Sequence, residues 1–269
     1  MTASLEIIGL TKTFFPGTPN ETKALKGINL SLAPGEFVTV VGSNGAGKST
    51  LLNAIAGVFP PDSGRILLDG QDITRQSEVT RARRISRVFQ NPLAGTAPDL
   101  TVAENLSLAL ARGQRRGLGW AVTAKKRALF REELARLGLG LEDRLNDVVG
   151  LLSGGQRQAL SLLMATITRP AVLLLDEHTA ALDPRTAQLI GDLTASWVAE
   201  HKLTTLMVTH NLEQAIRLGD RLIMMHEGNI LFEVSGNEKQ ALTIDGLRKA
   251  FSRVRNEDFV YDRAVLVAD

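Results

Sequence analysis

The stretch that decides the fold of this 269-residue chain is Gly42-Ser43-Asn44-Gly45-Ala46-Gly47-Lys48-Ser49. It follows an apolar run at residues 37–41 and precedes a segment with the apolar spacing of a helix. The stretch fits the pattern G-x-x-x-x-G-K-[ST]. In this pattern glycines let the backbone curl until its N–H groups converge on phosphate oxygens, and the next helix points its positive end at them. The sequence therefore predicts a strand, a phosphate-binding loop (the P-loop) and a helix.

A second element should hold a metal ion beside the P-loop. The apolar run at residues 171–175 supplies it by ending in Asp176 and Glu177. We expect Lys48 to bridge the β- and γ-phosphates of a nucleoside triphosphate, and the Ser49 hydroxyl to ligate Mg²⁺. We expect Asp176 to reach the metal through water, and Glu177 to polarise the water that attacks the γ-phosphate. Together the two elements indicate a nucleoside-triphosphate hydrolase.

The composition excludes several kinds of site. The chain has no Cys, which excludes disulfides, thiolate zinc sites and cysteine nucleophiles. It has 31 Lys plus Arg against 29 Asp plus Glu, a net charge of +2, so its pI of about 9.0 is weak evidence for nucleic acid and no such partner is expected. The first residues do not resemble a secretory signal, and the apolar runs are shorter than the ~18–20 residues that span a bilayer. We expect a cytoplasmic chain.

Strand-sized apolar runs alternate with helix-like segments along the chain, which predicts an α/β fold with a largely parallel sheet. The predicted strands span residues 5–9, 24–32, 37–41, 65–68, 85–89, 172–176, 204–209, 221–225 and 230–234. The predicted helices span residues 48–56, 102–111, 121–137, 154–168, 184–200 and 212–218. Residues 91–146 have few strand signals, and we interpret them as most of a helical lobe inserted into the core.

A second glycine-rich segment, Leu152-Ser153-Gly154-Gly155-Gln156, resembles the signature motif of ATP-binding cassette (ABC) ATPases. Ser153 can cap a helix that begins near Gly154, and the two glycines expose N–H groups at its positive end, which makes a second phosphate site. One nucleotide cannot use this site and the P-loop of the same chain. The resemblance implies a head-to-tail dimer of two copies, in which residues 153–156 contact the ATP bound by the partner.

Other elements of the family follow in order along residues 5–235. The resemblance implies that Phe14, which has Phe15 beside it, stacks on adenine, that Gln90 senses the metal and the γ-phosphate, and that His210 contacts the γ-phosphate. Asp183, in Ala181-Leu182-Asp183, matches a loop through which the two chains communicate. The implied catalytic residues are Glu177, His210, Lys48 and Gln90. The implied metal residues are Ser49, Gln90 and Asp176. The implied ATP contacts within one chain are Phe14, Gly42, Ser43, Asn44, Gly45, Ala46, Gly47, Lys48, Ser49 and Thr50.

The resemblance also implies the fold in more detail. It is a P-loop NTPase with a RecA-like, mostly parallel core, an antiparallel β subdomain and an inserted helical subdomain. We expect one nucleotide-binding domain over residues 1–269. Residues 1–90 and 169–235 form its core with the β subdomain, residues 91–168 form the helical subdomain, and residues 236–269 form a C-terminal extension.

His178 departs from the family, since most relatives have Pro after the Asp-Glu pair. It could titrate beside Glu177, but we favour a tolerated loop residue. Together with the helix that starts at residue 154, this variant resembles a bacterial importer group whose partners transport amino-acid-like or related small solutes.

We therefore expect an ATP-hydrolysing subunit, with ATP and Mg²⁺ as cofactors, that powers bacterial import of a small solute. Its partners would be a second copy of the chain, transmembrane permease subunits and a periplasmic solute-binding protein, and it would lie on the inner face of the cell membrane. Three alternatives stay open: a separate-chain exporter, a soluble ATPase of the iron–sulfur assembly type, and a regulatory module with little turnover.

Overall fold

The computed structural model describes residues 4–114 and 120–255, which form two β-sheets and the helices that cover them. The strands are β1 (Leu5–Phe14), β2 (Thr22–Leu32), β3 (Phe37–Gly42), β4 (Ser63–Leu68), β5 (Gln71–Asp72), β6 (Ile85–Val88), β7 (Val172–Asp176), β8 (Thr204–Val208), β9 (Arg221–His226) and β10 (Asn229–Ser235). The helices are α1 (Lys48–Ala56), α2 (Glu78–Arg81), α3 (Val102–Leu110), α4 (Ala124–Ala135), α5 (Gly154–Thr166), α6 (Pro184–His201), α7 (Leu212–Arg217), α8 (Gly236–Gln240) and α9 (Ile244–Arg255).

The larger sheet has six strands in the order β10-β9-β3-β8-β7-β6, all parallel except β10. Successive side chains of β7 enter opposite cores, as period-2 geometry requires. Leu174 packs in a cluster with Leu51 of α1, whereas Leu173 packs in one with Leu160 of α5 and Ile190 of α6. The prediction of a mostly parallel sheet covered on both faces is confirmed. Because its parallel strands share one direction, their carboxyl ends gather at one edge.

The smaller sheet has the order β2-β1-β4-β5 and is antiparallel, which confirms the expected antiparallel β subdomain. β1 is longer than the predicted residues 5–9. The prediction ended it at Gly9, where φ is +56°, but pairing with β2 resumes beyond this irregularity and continues to the pair Phe14 and Thr22. Because of this extension, Phe14 is the last residue of the strand.

The inserted helices share a core in which Leu106 of α3, Phe130 of α4 and Leu160 of α5 are fully buried. α4 begins three residues later than predicted because the Thr123 side chain accepts the Lys126 N–H at 3.3 Å and caps it. The helix α2 and the strand β5 were not predicted. Both are very short, so neither has a periodic pattern to detect.

Residues beyond β10 continue as α8, which packs against β9 and β10, and α9, which packs against α7. Lys239 of α8 is buried, and its Nζ donates to three carbonyls at the end of α7, those of Ile216, Leu218 and Gly219. A lysine is favourable there because the carboxyl end of a helix is negative. Residues 256–269 of the expected C-terminal extension lie outside the described residues. Within the described ranges, no helix is both long and apolar enough to cross a bilayer.

Candidate active site

The P-loop contains glycines whose side-chain space is already filled by neighbouring backbone. A Cβ on Gly42 would lie 2.3 Å from the carbonyl oxygen of Met225, and one on Gly47 would lie 2.4 Å from that of Ala24. Gly47 also has φ +96°, in the left-handed region that favours glycine. The loop is thus seated directly against β2 and β9.

An open cleft of about 400 Å³ lies over the P-loop. It is lined by Phe14, Thr22, Ala24, Asn44, Gly45, Ala46, Gly47, Lys48, Ser49, Thr50 and Glu177. The expected ATP contacts within one chain therefore lie along this lining, except Gly42 and Ser43, which form the start of the loop. Glu177, expected to activate water, lies on the same wall.

Lys48 is buried beneath the cleft. Its Nζ donates to the carbonyls of Gly42 at 2.8 Å and Ser43 at 3.0 Å. Burial lowers the pKa of Lys48, and the nearby carboxylates of Glu177 and Asp176 act in the opposite direction. A phosphate group in the cleft would be a stronger acceptor for this ammonium group than the two neutral carbonyls.

Two adjacent aromatic residues lie at the end of β1, Phe14 as its last residue and Phe15 just past it, and only one lines the cleft. Phe14 is half-buried and meets Phe59 edge to face, with ring centroids 5.3 Å apart. Phe15 is 66% exposed and is not part of the cleft lining. The geometry therefore favours Phe14 over its neighbour as the platform for a base.

The carboxylate pair follows β7 in the expected place. Asp176 is the last residue of β7, and its carboxylate pairs with Arg87 of the neighbouring strand β6, 2.5 Å away. Arg87 was not predicted as a site residue; the available signal was a charged residue within the short strand Ile-Ser-Arg-Val. Glu177 has φ +45°, an uncommon value for a residue other than glycine, which turns the chain sharply after the strand.

Glu177 and His210 meet at the sheet edge. β7 and β8 run parallel with Asp176 beside Val208, so the residues just past the two strand ends are neighbours. His210 Nδ1 lies 3.2 Å from Glu177 Oε2. His210 is exposed, which leaves it accessible to a ligand in or above the cleft. The two predicted catalytic residues are therefore brought together although they are far apart in sequence.

Gln90 lies two residues past the end of β6, at the same edge of the sheet as Asp176. Its side chain is exposed. Below it, a groove of about 380 Å³ separates the larger sheet from the helical lobe. We call this the docking groove. It is lined by Ala56, Glu78, Ala82, Ile85, Arg87, Val88, Phe89, Pro92, Ala94, Gly95, Leu108, Ala109, Arg112, Ser161, Met164 and Ala165.

The signature segment begins α5 as a capping box. Ser153 Oγ accepts the Gln156 N–H at 3.3 Å, and Gln156 Oε1 accepts the Ser153 N–H at 3.2 Å. Gly155 packs so closely that a Cβ would lie 2.5 Å from Thr186 at the start of α6, the helix that Asp183 caps. Among the described residues, the lining of the P-loop cleft includes neither residues 153–156 nor Asp183. The signature segment thus lies at a helix N-terminus that is separate from the P-loop cleft of its own chain.

His178 lies in a turn, as expected, but its side chain is not that of an unconstrained loop residue. It is 2% exposed, and its Nε2 lies 3.1 Å from Thr194 Oγ1 of α6. Burial lowers the pKa of His178 to about 4. The expectation of a tolerated loop residue is wrong, because a buried, hydrogen-bonded ring is constrained on every side.

These features define the class of protein. A P-loop beneath a cleft, a buried lysine and a strand that ends in two carboxylates together form the site of a P-loop nucleoside triphosphatase. The donors near the cleft, a serine hydroxyl and a carboxylate, are the hard oxygen ligands that Mg²⁺ takes alongside phosphate oxygens. The residues present therefore fit ATP with Mg²⁺.

The chain belongs to the ABC transporter family. The sequence profile described as ABC transporter matches residues 25–180. The chain is 46% identical over 248 residues to a tyrosine transport ATP-binding protein of Clostridioides difficile, covering 92% of this chain and 98% of that one. It is 39% identical over 232 residues to an aliphatic sulfonates import ATP-binding protein of Agrobacterium fabrum, covering 86% and 80%.

A solved structure gives the same result. The chain is similar, with a TM-score of 0.73 and 31% identity, to a dimeric ATP-binding cassette in a post-hydrolysis state bound to ADP and Pi, covering 86% of this chain and 98% of that one. The protein is thus an ABC ATPase, as the sequence analysis predicted.

Proposed function

We propose that this ATPase powers a membrane transporter that imports a small, amino-acid-like solute. One observation carries this proposal: the 46% identity to a tyrosine transport ATP-binding protein extends over nearly the whole of both chains. The sulfonate relative is also named for import. We place the chain on the inner face of the cell membrane, where ATP is available.

The proposed chemistry uses the residues gathered at the cleft. Lys48 turns from the Gly42 and Ser43 carbonyls to the phosphates, and the N–H groups of the P-loop hold them. Ser49, Gln90 and Asp176 would hold Mg²⁺, which when bound would supply positive charge against the phosphate oxygens. Glu177 accepts the proton of the attacking water, and His210, 3.2 Å away, contacts the γ-phosphate.

We propose a head-to-tail dimer for the working ATPase. The start of α5 offers N–H groups from Gly154 and Gly155 at a capped, positive helix end, and Ser153 and Gly154 are exposed. Since this end lies outside the P-loop cleft of its own chain, residues 153–156 with Asp183 contact the ATP of the partner. The similar solved cassette is described as dimeric, which supports a working ATPase of two copies.

We propose that the permease binds in the docking groove. Phe89 and Pro92, on either side of Gln90 in sequence, both line it, so a partner in the groove would lie against the segment that carries Gln90.

In this proposal the domain is divided as the sequence suggested. Residues 1–90 and 169–235 form the core, residues 91–168 the moving helical subdomain, and residues 236–269 an extension.

A matched pair of variants tests whether the permease binds in the docking groove. Leu108 is 48% exposed and lines the groove, whereas Leu129 of α4 is 37% exposed and is not among the groove residues. Leu108→Asp should abolish co-purification of permease subunits from detergent-solubilised membranes, and Leu129→Asp should leave it intact. Permease recovery that is equal for the two variants would contradict the proposal.

Transport direction and solute are tested in vesicles. The complex purified from membranes is reconstituted with the ATPase outside, and ¹⁴C-labelled L-tyrosine and a periplasmic binding protein are enclosed. ATP added outside should drive tyrosine out of the vesicle lumen, which corresponds to import into the cell. In a second preparation with the labelled tyrosine outside, ATP-driven movement into the lumen would favour the exporter alternative. Recovery of the chain without any membrane subunit would favour a soluble ATPase.

A further inference from the structure

The unusual His178 is bonded in a way that fixes its proton. Thr194 Oγ1 lies 3.1 Å from His178 Nε2 and donates its hydroxyl proton to the Ile190 carbonyl at 2.7 Å. A hydroxyl has one proton, so Thr194 can only accept from His178. Buried and neutral at pH 7, His178 is therefore the tautomer with its proton on Nε2.

This bond holds the turn that carries Glu177. The backbone of Glu177 lies at φ +45° and is fixed by its N–H to the Val208 carbonyl at 2.9 Å. A left-handed residue other than glycine keeps its conformation only when its surroundings impose it. The next side chain, His178, is bonded to α6, and the one after it, Thr179, donates to Gln214 of α7 at 3.2 Å. The turn is thus tied to two helices directly after Glu177.

The helix at the other end of the bond carries the proposed contact to the second chain. α6 begins with Asp183 as its N-cap, and Thr194 lies in the middle of the same helix. With a rise of ~1.5 Å per residue, the two positions are roughly 16 Å apart along the helix axis. A displacement of α6 at its N-terminus would therefore also move Thr194, the hydrogen-bond acceptor of His178.

We infer that His178 is a positioning residue, whose hydrogen bond to Thr194 fixes the Glu177 carboxylate relative to α6. The inference rests on the proposed role of Glu177. His178 does not line the P-loop cleft and so acts through Glu177. Loss of the bond changes the placement of the base that accepts the proton of the water. ATP binding at the P-loop, which uses other residues, is unaffected.

Removing the acceptor tests the inference. Thr194→Val keeps the volume and deletes the hydroxyl, and it should lower kcat for phosphate release by ~10- to 100-fold, because small misplacements of a catalytic group have large effects. KM for ATP should stay within about twofold of the parent value, because the interactions that bind ATP in the ground state are not changed. Thr194→Ser restores the hydroxyl and should restore kcat. Combining Thr194→Val with His178→Phe should be no worse than either change alone.

The chain offers a control with the same bonding pattern. Thr166 of α5 is buried, donates to the Leu162 carbonyl at 2.8 Å and accepts the Trp197 Nε1–H at 3.0 Å. Thr166→Val should lower the melting temperature as Thr194→Val does, yet leave kcat unchanged. Equal losses of kcat in the two variants would overturn the inference, because the effect would then be general loosening of the core.

Two other outcomes are informative. If Thr194→Val does not fold, His178→Phe tests the same bond from its other end, with the same expected fall in kcat. A Thr194→Val chain that turns over at the parent rate would overturn the inference while leaving the role of Glu177 intact. A Glu177→Gln chain that keeps the parent rate would instead overturn the proposed function of Glu177 itself.

Discussion

The guanidinium of Arg87 donates to the carboxylate of Asp176, with 2.5 Å between Nη2 and Oδ2, across two neighbouring parallel strands. Arg87 also donates from Nη1 to Asn53 Oδ1 at 2.6 Å and lies over the Phe89 ring. Both members of the pair are 14% exposed. Because Arg87 lines the docking groove, one side chain joins the proposed seat of the permease to the proposed metal carboxylate.

Replacing Arg87 by Met should destabilise the nucleotide-free chain by about 3 kcal/mol, because Asp176 would be left largely buried without its cationic partner. Adding Asp176→Asn removes that charge and should recover part of the loss. Urea unfolding of the two single variants, the double variant and the parent measures the coupling between the side chains.

An exposed ion pair is the control for this prediction. Arg217 pairs with Asp192, and the two side chains are 41% and 51% exposed. Solvent screens such a pair, so Arg217→Met should cost about 0.5 kcal/mol. If Arg87→Met costs no more than this, Arg87 does not hold the Asp176 carboxylate.

The sequence predicts well what short segments determine. α1 begins and ends at the predicted residues because the P-loop sets its first residue and Gly57, at φ +86°, ends it. β7 also has the predicted bounds, since its apolar run ends in two carboxylates. Placing Phe14 and His210 required the family resemblance, whereas Glu177 follows from the carboxylate pair after β7, and the strand order brings His210 beside it.

The contacts that were missed join segments far apart in the chain. Arg87 and Asp176 are 89 residues apart, and nothing in either local pattern indicates the other. His178 stands out in the sequence only as a departure from the family, which has Pro there, and nothing in the local pattern indicates that its side chain is buried. Its burial depends on α6 folding back over the turn, where Thr194 provides an acceptor that no periodicity reveals.

Burial of His178 should make stability depend on pH. Burial lowers its folded pKa from 6.5 to about 4, so this contribution is full above pH 6.5 and is lost as pH falls toward 4, where the unfolded chain gains a proton and the folded chain does not. The loss between pH 7 and pH 5 is about 2 kcal/mol. Urea unfolding at pH 7 and at pH 5 should show that the parent loses this much more unfolding free energy than the His178→Phe variant. An equal pH dependence of the parent and the variant would contradict the prediction.

Lys48→Ala should weaken ATP binding by ~100-fold in a fluorescence titration, because the phosphates lose a charge-assisted hydrogen-bond donor. The matched control is Lys125→Ala, since Lys125 lies exposed on α4, in the helical lobe. ATP affinity equal to that of the control would contradict the assignment of the P-loop.

A mixing experiment tests whether the signature segment acts on the partner. Lys48→Ala and Ser153→Arg should each abolish ATP hydrolysis alone. In a head-to-tail dimer of the two variants, one site combines both defects and the other has neither, so an equimolar mixture should recover about a quarter of the parent activity by random pairing. A mixture that stays inactive would contradict the arrangement.

Comparing the parent with Glu177→Gln in Mg-ATP tests directly whether Glu177 drives ATP hydrolysis in an ATP-closed dimer. Phosphate release and the size of the complex are measured on the same samples. The variant should release phosphate ~100- to 1,000-fold more slowly, because the general base is lost, and it should accumulate an ATP-bound dimer. Hydrolysis at the parent rate, or a variant that stays monomeric in ATP, would contradict this prediction.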